Sequence, residues 1–492
     1  MSPVLMLLCI AVYFAALLGI AWKTGRSANS EGYFLGNRRS PWYAVAFGLL
    51  GDSLSGVTFI SVPGQVGTSK FSYLQIVLGY VLGYVVIAEL LLPLYYRLRL
   101  TSIYSYLGNR FGGTAQVTGS FFFLISRLAG AGARLYLAAS VLQLFIFDRW
   151  HIPFSVSVAG SIALMLIYTY RGGIKTLVWT DVFQSTFLLV GVVLSILAIA
   201  RALDLGPGGL FQTIRQSDLS QVFVWDWQSK NFFWKQILSG AFIAIVMTGL
   251  DQNSMQKNLS CRSLPEAKKN IYSFAAVMVA VNILFLSLGV LLYEYARAKG
   301  ITIPGKADAL FPTLALEHLG PFAAIVFLVG LTAATFSSAD SVLTTLTTSF
   351  CIDFARIDSR TDLTDVSKTR LRHVTHLCFA VLLLAVILAF RYLNNDSVIT
   401  AVLTLATYTY GPLLGLFAFG LFTRQKVRSS LVPVICTASP LACFWINGRT
   451  ADWFGGYQLG FELLILNGLL TCLGLLLIRQ PATKPQTSAT HA

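Results

Sequence analysis

Long apolar stretches recur along the whole chain, and they constrain the fold more than any single motif does. About thirteen runs of roughly twenty mostly hydrophobic residues follow one another, near 3–22, 42–66, 71–96, 114–147, 152–170, 174–201, 232–256, 269–296, 319–351, 373–392, 396–421, 427–447 and 456–478. They are numbered here as spans 0 to 12. At about 1.5 Å per residue, a helix of that length crosses the ~30 Å hydrocarbon core of a bilayer. No water reaches the backbone inside lipid, so each run must satisfy its own amides, and a helix does this within one segment. Charged residues make up 12% of the chain, against about 25% in a soluble protein. These features describe an all-α polytopic membrane protein with the lipid bilayer as its main surroundings.

The net charge of +15 would suggest a nucleic-acid partner in a soluble chain. Here the basic residues crowd into short loops between spans. Arg38 and Arg39, Arg97 and Arg99, Lys268 and Lys269, and Arg424, Lys426 and Arg428 all fall on one side if the N-terminus is outside. That is the positive-inside pattern, so the charge reports topology and nucleic acid is not an expected partner. The C-terminus is then cytoplasmic. No basic segment precedes residues 3–22, and Lys23 and Arg26 follow them, which fits an uncleaved first span better than a signal peptide. The seven cysteines form no CxxC pair and show no zinc-site spacing.

Several spans carry polar groups that lipid would not tolerate. Span 8 contains Gly330-Leu-Thr-Ala-Ala-Thr-Phe-Ser-Ser-Ala-Asp-Ser341. Ala334, Ser337, Ser338, Ser341, Thr344, Thr345 and Thr348 recur at helical spacing, and Asp340 borders their face, about 60° from Ser337. A carboxylate at the bilayer centre costs roughly 2.5–3.5 kcal/mol on insertion scales. Hydroxyls alone serve as glue between helices. Hydroxyls with a carboxylate also suit a hard cation such as Na⁺, which takes oxygen ligands. Span 1 holds Gly51, Asp52, Ser55, Gly56 and Thr58, with Pro63 and Gly64 after them. This pattern suits a helix broken at a cavity, or one packed closely through its glycines. Span 3 carries Arg127 and Arg134, seven residues apart and on one face. Arg127 has the choice of a buried acid or the surface. Arg134 sits near mid-span and needs an anion, from the protein or from a solute. Asp181 in span 5 is a further intramembrane carboxylate, suited to an ion or to a salt bridge.

Four motifs, in order, resemble the sodium:solute symporter family: Ser-Gly-Val-Thr-Phe-Ile-Ser-Val-Pro-Gly in span 1, Gly-Gly-Ile-Lys-Thr-Leu-Val-Trp-Thr-Asp-Val-Phe-Gln leading into span 5, Ala-Ala-Thr-Phe-Ser-Ser in span 8 and Gly-Pro-Leu-Leu-Gly-Leu-Phe in span 10. The resemblance implies a LeuT-like fold of two inverted five-span repeats with spans 1 and 6 broken. The first repeat would be 42–201 and the second 232–421. Residues 1–41 would add an N-terminal span and inner loop, 202–231 an outer segment with a short surface helix, 422–479 two accessory spans and 480–492 a cytoplasmic tail. By position, the resemblance implies a sodium site from Gly51 and Leu54 in span 1 and Ala334, Ser337 and Ser338 in span 8. It implies a second sodium site from Asp181, Asp340 and Ser341, with Asp340 standing where relatives have Ser. It places Ser55, Thr58, Tyr73, Gln75 and Arg134 around the solute.

The reading that follows is a Na⁺-coupled symporter of the cell membrane, with Na⁺ as coupling ion, importing a small organic solute by alternating access. Arg134 suggests a carboxylate-bearing solute, sialic acid-like or a monocarboxylate. A neutral sugar, a polyol or a small inorganic anion is the alternative, with Arg134 then paired to Asp52 or another acid. A sensor or channel on the same scaffold is the alternative of a different class. No nucleophile–base pair and no cluster among the five histidines suggests an enzyme.

Overall fold

The chain is described by a computed structural model that covers residues 3–25, 30–303, 305–357, 359–360, 362–393, 398–453, 455, 457 and 459–480. Arg26 and the expected tail beyond Gln480 lie outside the described residues. The apolar runs form helices, and among the described residues there is no strand. Among the described residues, eight helices are long and apolar enough to span a membrane alone, and two bent pairs bring the number to ten. The expected thirteen exceed this because breaks shorten several spans. The first half of span 1 is only Trp42–Ser53, and span 12 is Leu463–Leu477. Spans 4 and 5 run together as Phe154–Ala202, kinked at Gly173. Gly173 has φ 53°, and a Cβ there would lie 2.7 Å from Cα of Tyr33, so only glycine fits this turn.

Both expected breaks are present. Span 1 stops at Leu54 (φ −94°, ψ 71°) and Ser55 (φ −72°, ψ 177°) before resuming as Gly56–Ser69. The last carbonyls of Trp42–Ser53 therefore lose their usual partners and face the protein interior. Span 6 runs through Phe233–Ala244 and a π-turn, opens at Asp251 (φ −110°, ψ 120°), and continues as Gln252–Leu259 after a bend of 63°. Span 10 bends by 44° between Val398–Thr409 and Gly411–Phe422, where Pro412 supplies no amide for the ladder. Residues 202–231 carry the surface helix Pro207–Gln216.

Span 8, Gly320–Ser349, is the most enclosed of the eight long apolar helices: 78% of its apolar window is buried, against 28% for span 0. Its hydroxyls therefore face protein rather than lipid. It packs most extensively on Phe154–Ala202, and Tyr73–Val86 of span 2 packs on Phe233–Ala244 of span 6. Glycines allow the second contact, since a Cβ on Gly79 would sit 2.9 Å from Cα of Gly240.

Candidate functional site

The two breaks meet span 8 in the middle of the molecule. Gly51, one turn before the span 1 break, presses against spans 5 and 8 at once. A Cβ there would lie 2.6 Å from Ser185 Oγ and 2.7 Å from Ser337 Oγ. The backbone amide of Gly51 donates to Ser185 Oγ at 2.9 Å. Beyond the break, a Cβ on Gly56 would lie 3.4 Å from Leu331. Span 1 is thus clamped to span 8 on both sides of its unwound residues. Leu54, Ala334, Ser337 and Ser338 are all buried.

The hydroxyl protons indicate how these groups are used. Ser337 Oγ donates to Asp181 Oδ1 at 3.1 Å, and Ser338 Oγ donates to the carbonyl of Thr335 at 3.1 Å. Both hydroxyls therefore keep lone pairs available. Together with carbonyls freed at the break, they form an oxygen set that suits Na⁺. Ser337 and Ser338 thus offer oxygens of the kind Na⁺ takes, beside the span 1 break.

The second expected set does not fit it. Lys257, on the second half of broken span 6, brings its ammonium 2.6 Å from Asp181 Oδ2 and 3.8 Å from Asp52 Oδ2. It also donates to Ser341 Oγ at 2.8 Å. Asp340 is fully buried and close enough to act on the same ammonium electrostatically. Lysine thus occupies the position expected for a cation between Asp181 and Ser341. By its sequence position Lys257 falls just past the apolar run of span 6. The surrounding Gln252-Asn-Ser-Met-Gln-Lys-Asn-Leu259 is polar nearly all round yet wholly buried, and that combination was the available signal.

The two arginines of span 3 part company. Arg127 forms a two-pronged ion pair with Asp251 at the span 6 break, Nε to Oδ2 at 2.5 Å and Nη2 to Oδ1 at 2.6 Å. Tyr410, at the bend in span 10, donates to the same carboxylate at 2.6 Å. Arg134 makes no hydrogen bond or ion pair among the described residues, and it lines a central cavity. Ser55, Thr58 and Tyr73 line the cavity with it, and Asp52 and Thr248 join them. Asp52 is not the partner of Arg134. It accepts from Asn253 Nδ2 at 2.6 Å and faces Lys257.

Gln75 is not part of this wall. Its side-chain amide donates to the carbonyls of Ser72 and Asn231 and accepts from the amide of Val224. It ties span 2 to the outer segment, because every polar atom of its amide is already engaged there.

Comparison with known proteins bears on the family and the fold. The family model described as sodium:solute symporter family matches residues 33–430. The sodium/sialic acid symporter NanT of Aliivibrio fischeri (strain ATCC 700601 / ES114) is 27% identical over 482 residues, covering 94% of this chain and 90% of that protein. The human sodium-coupled monocarboxylate transporter 1 is 27% identical over 431 residues, covering 83% of this chain and 67% of that protein. A solved structure of a Na⁺-coupled sialic acid symporter in a substrate-bound outward-open state superposes with a TM-score of 0.81 at 22% identity, covering 96% of this chain and 97% of that one. The fold is the LeuT-like one that the four motifs suggested.

Proposed function

This chain belongs to the sodium:solute symporter family, and we propose that it couples Na⁺ entry to import of a small carboxylate-bearing solute held by Arg134. The observation that carries the solute class is the unpaired guanidinium in the central cavity. Arg134 is half-buried at mid-span; a guanidinium there without an anion is costly, and a carboxylate answers it with two parallel hydrogen bonds. Ser55 and Thr58 offer hydroxyls to the rest of the solute, and Tyr73 offers an aromatic face. Relatives named for sialic acid and for monocarboxylates both handle carboxylates, which supports the same class. Asp52, engaged with Asn253 and Lys257, leaves Arg134 free for the solute.

In this reading Na⁺ binds from outside between Gly51, Leu54, Ala334, Ser337 and Ser338, and orders the broken span 1. The repeats 42–201 and 232–421 then rock against each other and release ion and solute to the cytoplasm. The N-terminus faces outside and the C-terminus faces the cytoplasm, in the cell membrane, as the loop charges favour.

Uptake by proteoliposomes under an inward Na⁺ gradient tests the solute class. Pyruvate and N-acetylneuraminate serve as carboxylate probes, with glucose and iodide as the neutral and inorganic counterparts. One carboxylate is expected to accumulate only with Na⁺ present. Hydrogen bonds to a charged group contribute about 1.5–3 kcal/mol, so Arg134→Ala should lower its uptake by about 10- to 150-fold. Carboxylate uptake unchanged in Arg134→Ala would remove the basis for this assignment.

A further inference from the structure

The position expected for a second sodium ion, between Asp181 and Ser341, is already held by a side chain. We infer that the Lys257 ammonium is a tethered cation standing in for a second Na⁺, so that a single Na⁺ binds and travels with each solute. The inference rests on the sodium-coupled reading above and specifies its stoichiometry.

The geometry is that of a cation site rather than of a simple pair. An ordinary ion pair needs one carboxylate. Lys257 Nζ instead meets oxygens from three spans: Asp181 of span 5 at 2.6 Å, Ser341 of span 8 at 2.8 Å and Asp52 of span 1 at 3.8 Å. The same three spans converge on the first site, where Ser337 donates to the other oxygen of Asp181. Asp181 therefore has one oxygen turned to Ser337 and the other to Lys257. Lys257 is 1% exposed and Asp181 is fully buried. The ammonium cannot swing to water without carrying its short helix with it.

An incoming Na⁺ would have to share Asp181 and Ser341 with a charge of the same sign a few ångströms away, in a region with little water to screen either one. Removing the lysine reverses the situation. Asp52 and Asp181 would then be buried without a cation, and a mobile ion of the right size would be drawn in. A tethered charge also stays with the chain when the site opens inward, so it balances the carboxylates without being transported. With a monocarboxylate as solute, one Na⁺ per turnover makes import electroneutral, whereas two would carry one net positive charge inward.

Equilibrium binding of ²²Na⁺ to the purified full chain in detergent tests this with the ion alone. The wild type should bind one Na⁺ per chain with a Hill coefficient near one. Lys257→Ala should bind two. Its thermal unfolding temperature should fall in choline chloride and recover in sodium chloride by more than the wild type gains from the same exchange. The double variant Lys257→Met with Asp181→Asn, which removes both charges, should return to one Na⁺ and lose that extra recovery. Two Na⁺ per wild-type chain would overturn the inference and leave the symport reading standing. No Na⁺ bound by the wild type would overturn both. If Lys257→Ala folds and still binds one, Lys257 does not occupy an ion position and the inference fails. If that variant does not fold, the wild-type count and the double variant decide. A ²²Na⁺-to-pyruvate flux ratio of one in proteoliposomes, insensitive to an imposed potassium diffusion potential, is the expected transport counterpart. A ratio of two would overturn the inference.

Discussion

Replacing Arg127 by leucine should destabilise the protein by about 3–5 kcal/mol, the usual cost of leaving one member of a buried ion pair without the other. Asp251 would keep the hydroxyl of Tyr410 and the amide of Ser254, but not the two guanidinium donors that neutralise it. Its position makes the loss more than local. Asp251 is the extended residue at which span 6 reverses into Gln252–Leu259, and that short helix carries Asn253 to Asp52 and Lys257 to Asp181. Loosening the break therefore shifts the wall of the cavity as well. The double variant Arg127→Met with Asp251→Asn is expected to recover most of the lost stability. It removes both charges, keeps an acceptor for Tyr410 and retains a side chain able to cap the helix. Thermal unfolding in detergent, followed by intrinsic fluorescence, measures both. Comparable instability in the single and double variants would mean that the packing of Arg127 matters more than its charge.

Arg127 also shows where reading the sequence reached its limit. The all-helical membrane architecture was legible, though not the exact number of spans, because apolar length is a one-dimensional property. The breaks in spans 1 and 6 were legible in part, the first from glycines and an acid in an apolar run, the second only through family resemblance. Which buried charges meet was not legible. Arg127 and Arg134 lie on one face of one helix, yet the first finds Asp251, which is 124 positions away along the chain, and the second finds only the cavity. Nothing local separates them. Lys257 follows a hydrophobic run and precedes basic loop residues, as a lysine reaching for the surface would. Its burial depends on the 63° bend that turns Gln252–Leu259 inward. His376 is a similar case. It lies next to a basic loop segment, yet its two ring nitrogens lie 3.0 and 2.9 Å from the hydroxyls of Thr169 and Thr347, joining spans 4, 8 and 9. Gln75 erred in the opposite direction. The family resemblance placed it near the solute, but residues 202–231 supply its partners.

Removing both hydroxyls of the first site, Ser337→Ala with Ser338→Ala, should weaken Na⁺ binding by about 10²- to 10⁴-fold. Each contact between a hydroxyl and a charged group contributes about 1.5–3 kcal/mol, and two together reach roughly 3–6 kcal/mol if they add. The helix itself should tolerate the change, since alanine is the best helix former and each lost hydroxyl is small. Ser338 loses only a bond to its own helix, to the carbonyl of Thr335. Ser337 loses a bond to Asp181, but Lys257 continues to hold that carboxylate. The separation gives the experiment its power. A structural role for the two serines would lower stability equally in sodium and in choline chloride. An ion-binding role would leave stability in choline unchanged and abolish the added stability that sodium confers on the wild type. Uptake should then respond to Na⁺ only far above the concentration that half-saturates the wild type. If the double variant binds ²²Na⁺ as tightly as the wild type, the coupling ion does not sit between the unwound residues of span 1 and the hydroxyl face of span 8.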